Sequence, residues 1–105
     1  MTFLLILIFL MGIYANRDSL KDAKRNYFGI SRVIDGPVSE KDSDMVRTLI
    51  HGTTIHGMQF LSADKKNIPT LYYHYWGGLA EVLSAMPPKA RFAAIGLGAG
   101  TLAVY

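Results

Sequence analysis

The sequence predicts an α+β chain: an apolar N-terminal helix, a small antiparallel β meander, then the first strand and glycine-rich loop of an α/β domain. Three observations lead there. Residues 2–15 (TFLLILIFLMGIYA) carry no charge. Three segments rich in aromatic and β-branched residues follow, joined by short links. Finally, the apolar run Phe92-Ala93-Ala94-Ile95 leads straight into Gly96-Leu97-Gly98-Ala99-Gly100.

Composition bounds the function classes. A chain of 105 residues has room for one ordinary domain. With no cysteine, a disulfide scaffold, a Cys-ligated zinc site and a thiol nucleophile are excluded. Charged residues make up 18% and the net charge is +3, too modest to mark a nucleic-acid binder, so no nucleic-acid partner is expected. Half the residues are apolar, which argues against disorder. What remains after the apolar stretch is small for a complete enzyme, and the sequence reads as the N-terminal part of a longer protein.

Taken as a helix, residues 2–15 rise ~21 Å, less than the ~30 Å of a bilayer's hydrocarbon core. Three readings stay open: a spanning helix clipped at its start, a signal segment, and a buried core helix. A signal segment would carry a basic start and a small-residue cleavage site, and neither stands here. Arg17, Lys21, Lys24 and Arg25 follow closely and favour the first reading, a membrane helix with the residues after Arg17 in the cytoplasm. The same basic run also reads as a solvated helix end.

Residues 26–35 (NYFGISRVID) read as a strand, ended by Gly36-Pro37, and residues 38–44 as a polar loop. Residues 45–51 (MVRTLIH) and 53–61 (TTIHGMQFL) make two further strands around Gly52, hence a meander. Residues 62–67 form a charged turn before the aromatic cluster at 71–76 (LYYHYW). In residues 78–86, Leu79, Val82, Leu83 and Met86 recur at helical spacing, and Pro87-Pro88 ends that helix. Phe92–Ile95 suits a buried parallel strand, and residues 101–105 the first turn of a helix.

A strand, then Gly-x-Gly-x-Gly, then a helix is the nucleoside- or phosphate-binding turn of doubly wound folds. The glycines let a ligand approach the backbone, and the helix start offers aligned N–H donors. The spacing differs from the dinucleotide fingerprint, and no lysine follows as in a P-loop. It is the spacing seen in the adenosylmethionine fold. A tight turn without ligand is the plain alternative.

Four blocks carry a resemblance: Arg25-Asn26-Tyr27-Phe28-Gly29, residues 51–59 (HGTTIHGMQ), Pro69-Thr70-Leu71-Tyr72-Tyr73, and residues 95–102 (IGLGAGTL). With them the chain resembles spermidine synthase-like proteins, in particular those fused behind a membrane-spanning region. The resemblance covers roughly residues 25–105. It implies a membrane helix and basic linker over 1–25, a β domain over 26–70, and the truncated start of a Rossmann-like, methyltransferase-type domain over 71–105. The implied reaction is aminopropyl transfer from decarboxylated S-adenosylmethionine to a polyamine such as putrescine, without a metal. Gln59 would contact the nucleoside cosubstrate, and Gly96, Gly98 and Gly100 would form its loop. Tyr73 and His74 would stand at the mouth of the amine pocket.

His56 and Tyr75 occupy places where classical members carry Asp and Glu. Burying a polyamine's ammonium groups without carboxylates is costly, which leaves the acceptor open. The family's general base lies downstream of the glycine loop, so no catalytic residue is assigned and the isolated chain is expected to be inactive. A homodimer is a family expectation. Two other readings stand beside this one: an S-adenosylmethionine-dependent methyltransferase, and a non-catalytic membrane-anchored module.

The remaining polar and aromatic residues have plainer readings. His51 and His56 stand five apart, a spacing that on a strand faces opposite sides, and lack further ligands for a metal. Tyr72, Tyr73, Tyr75 and Trp76 suit either stacking on a ligand or packing between domains. Asp42, Asp44, Lys65 and Lys66 read as solvated surface.

Overall fold

The computed structural model describes residues 2–15 and 19–105. Helix α1 covers Thr2–Ala15. Strands β1 (Leu20–Asn26), β2 (Gly29–Pro37), β3 (Met45–His51) and β4 (Thr54–Phe60) follow, and helix α2 covers Gly78–Ala85. Short 3-10 turns stand at Leu71–Tyr73 and Thr101–Val104.

The sheet is an antiparallel meander in the order β1-β2-β3-β4. The two later strands lie within a residue of their expected bounds, because β3 alternates exposed and buried positions as a half-buried strand must. Val46 and Thr48 are its buried members. Pro69, Thr70 and Ala80 complete the core, and the Thr70 hydroxyl donates to the Met58 carbonyl, fastening the chain after the sheet to β4. Helix α2 packs beside the 3-10 turn at Leu71–Tyr73 and stops before Pro87-Pro88 as expected.

Three expectations need correction. The basic linker is not a linker from Leu20 onward: it is β1, paired with β2 through a two-residue hairpin at Tyr27 and Phe28. The strand expected from residue 26 therefore begins at Gly29. All of β1 is exposed, so its sequence (LKDAKRN) has no apolar alternation to betray it. The buried parallel strand at residues 92–95 does not form, and Ile95 is fully exposed at 104%. A parallel strand needs a paired neighbour, and the described residues contain only the antiparallel sheet.

Helix α1 is apolar on every side, and its described side chains are all exposed. Among the described residues no helix is long and apolar enough to cross a membrane.

Register places Asp35 opposite Arg47 across β2 and β3. Arg47 Nε and Nη2 donate to Asp35 Oδ1 and Oδ2, each at 2.8 Å, a bidentate pair. The hydrogen bond from Arg47, reinforced by its charge and that of Lys21, holds the Asp35 carboxyl below its ordinary value of 3.8. Unfolded Asp35 takes up its proton at higher pH than folded Asp35. The pair's stabilisation is therefore full above about pH 4 and fades as acid titrates the folded carboxylate. Thermal melts of Asp35→Asn and wild type should differ near neutrality and converge as acid protonates the folded carboxylate below its ordinary range. A gap that stays constant over that range would remove Asp35 from the account.

Candidate functional site

An open cleft of about 240 Å³ lies where the glycine loop meets β4. Val33, Arg47, Leu49, Gly57 and Gln59 line it from the sheet, and Ala99, Gly100 and Thr101 from the loop. Lys66 and Ile68 also line it.

Gly57 makes the junction possible. A Cβ built there would overlap Ala99 Cβ and stand 3.5 Å from Ala99 Cα, so only glycine lets the loop seat on the strand. The loop itself depends on backbone freedom: Gly96, Gly98 and Gly100 have φ of 89°, 55° and 76°, values that L side chains rarely adopt. Gly100 N donates to Leu97 O at 2.9 Å, which closes the turn before the helical turn at Thr101–Val104.

Gln59 and Gly100 therefore line one cleft, as two parts of a single site would. Gln59 is exposed, and its Nε2 donates to the Lys66 carbonyl at 3.2 Å, which leaves its oxygen for other partners. Gly98 faces Tyr73: a Cβ there would stand 3.9 Å from the Tyr73 hydroxyl. Hydrogen bonding to Tyr72, with some desolvation, holds the Tyr73 phenol above its ordinary 10.0. The Tyr73 carbonyl accepts from the Tyr105 hydroxyl, tying the aromatic cluster to the end of the glycine segment.

Gly96 and His74 lie apart from the cleft. Gly96 borders a second depression with Phe92, Leu97 and Leu102, and Gly100 lines both. His74 is exposed; its Nδ1 accepts from Trp76 N at 3.4 Å, and its ring stands edge-on to Trp76 with centroids 5.8 Å apart. Trp76 is 93% exposed. Tyr72 donates to the His56 carbonyl at 3.3 Å, and Tyr75 packs edge-on against Tyr105, so these aromatics mainly join segments.

Two sequence expectations change at the sheet. His51 and His56 were expected on opposite faces, yet their ring centroids are 6.0 Å apart. The strand pairing shifts between Leu49–Gly57 and Ile50–Ile55, leaving His56 as the extra residue of a bulge. Among the described residues no group of three or more His, Asp or Glu stands ready to hold a metal. Asp44 and Lys65, read as solvated, form an ion pair, and that hydrogen bond raises the Lys65 pKa above 10.5.

Sequence reasoning missed Arg47, Lys66 and Gly57. Gly57 had a signal, since an isolated glycine inside a strand pattern marks a bulge or a close approach. Arg47 had none, because its place depends on register.

Gly57→Ala should push the loop off the strand, at a cost of about 1–3 kcal/mol for overpacking. The expected result is a lower Tm and faster amide exchange at Gly98, Ala99 and Gly100. Adding Ala99→Gly removes the overlapping methyl and should restore most of the loss. Unchanged exchange in Gly57→Ala would show that the loop does not rest there.

Compared with known proteins, the chain matches no family model, no curated protein and no solved structure.

Proposed function

We propose that the cleft between β4 and the glycine loop is the donor site of a spermidine synthase-like transferase and binds an adenosine-type sulfonium nucleoside. The observation that carries this reading is the meeting of Gln59 and Gly100 in one cleft. The resemblance assigns both to the same cosubstrate, although they are far apart in the chain. On this reading the glycine loop opens a Rossmann-like domain, and its exposed apolar approach, Phe92 and Ile95, awaits a neighbouring strand. Helix α1, apolar all round, is the membrane tether.

In aminopropyl transfer the acceptor's amine lone pair attacks the carbon next to the sulfonium. The C–S bond breaks, its electron pair stays on sulfur, and the nucleoside leaves as a thioether while the amine gives its proton to a base. Positioning supplies most of the acceleration. In this chain Gln59 and the loop backbone hold the nucleoside, and Tyr73 offers a neutral hydroxyl beside Gly98.

One observation favours a second reading, methyl transfer from S-adenosylmethionine. The cleft lining includes Arg47 and Lys66 but no carboxylate, and Tyr75 stands where the family's Glu would face the amine. An unpaired polyamine cation would fare poorly there.

Calorimetric titration of the full chain in detergent, with decarboxylated S-adenosylmethionine and with S-adenosylmethionine, tests both. At least one should bind, and Gln59→Ala should weaken it roughly tenfold, the worth of about one hydrogen bond. Preference for the carboxylated nucleoside would favour methyl transfer. Binding of neither would end the nucleoside reading.

A further inference from the structure

The β1–β2 hairpin ends in two large aromatic residues. Tyr27 is 96% exposed and Phe28 80%, with the rings edge to face at 5.4 Å. Tight two-residue hairpins favour Asn and Gly at the tip, so the fold gives no reason for these rings. Beside the tip lies a depression of about 560 Å³ lined by Arg25, Asn26, Tyr27, Gly29, Ile30 and Arg32. Arg32 Nη2 donates to the Gly52 carbonyl at 3.0 Å, which fixes one guanidinium at the pocket wall. Lys24 precedes Arg25 on the exposed edge strand. Asp22 is the only acid of β1, and its Oδ1 accepts from the backbone N–H of Ala23 at 2.9 Å.

We infer that this hairpin is a second, interfacial contact with an anionic lipid surface. Tyr27 and Phe28 enter the headgroup layer, and Arg25 and Arg32 hold lipid phosphate. The inference rests on reading α1 as the tether. A helix without a polar side must be covered on all sides, which lipid does and one partner helix does not. Only residues 16–19 separate α1 from β1, so β1 starts at the surface that receives the helix, and the tip, about 23 Å along the strand, meets that surface when β1 lies along it. Charge decides between lipid and a protein groove. Arg25 and Arg32 line the depression beside the aromatic tip, the pairing that anionic leaflets attract and that aromatic rings complete at the interface.

The test uses the full chain with its single tryptophan moved, Trp76→Phe with Tyr27→Trp. Vesicles of phosphatidylcholine, with and without phosphatidylserine, are the probes. With phosphatidylserine present, the new tryptophan should shift to the blue and be quenched by lipids brominated near the headgroup. Arg25→Ala and Arg32→Ala should each weaken the binding gained from phosphatidylserine roughly fivefold, with circular dichroism confirming the sheet. If the chain sediments with vesicles while the tryptophan stays in water, the hairpin contact is overturned and the tether stands. If it sediments with neither vesicle, the tether reading falls, and the hairpin contact with it. A blue shift indifferent to phosphatidylserine and to both arginines would overturn the phosphate role.

Discussion

The close approach of Ala99 to the bare backbone of Gly57 governs the arrangement of this chain. A sheet and a glycine loop have no intrinsic reason to meet, and any side chain on the strand at that point would hold them apart. With glycine there, the loop settles on the strand, and the space left beside the contact becomes the cleft. The loop's left-handed glycines carry the chain through that seat, and the Tyr105 hydroxyl fastens its far end to the aromatic cluster. Thr70 secures the return from the sheet through the Met58 carbonyl, one residue from Gly57.

The two candidate surfaces stand on different parts of the sheet. The meander places β1 and β4 at opposite edges. The aromatic-tipped depression is built by β1 and the start of β2, while the cleft is lined by β2, β3, β4 and the loop. The Asp35–Arg47 pair lies between them on the inner strands. It neutralises most of the charge that Arg47 would otherwise bring to the cleft wall, and it ties β2 to β3 by side chains as well as backbone.

What could be read from the sequence follows burial. Strand β3 was legible because it half-buries one face, and burial writes a period into its residues; helix α2 was legible by spacing, although its buried residue is Ala80 and Val82 of the expected stripe is 61% exposed. Strand β1 buries nothing, so its polar residues looked like a linker. The run at residues 92–95 misled in the opposite direction: its apolar character implies burial, but no strand stands beside it. Of the residues lining the cleft, Gln59 and Gly100 stand out in the sequence as motif members, whereas Arg47 enters through cross-strand register. The meeting of His51 and His56 was hidden by a one-residue bulge, which no count along a strand reveals.

The meander has a further consequence, for the order in which the chain acquires structure. Each strand pairs only with its neighbour in sequence, so every sheet contact closes a short loop. Such local topologies fold quickly and can form as the chain leaves the ribosome. The contact between Gly57 and Ala99 spans a much longer loop and has to wait for the glycine segment to emerge. The sheet can thus be completed early, while the cleft forms only once the glycine loop has reached it.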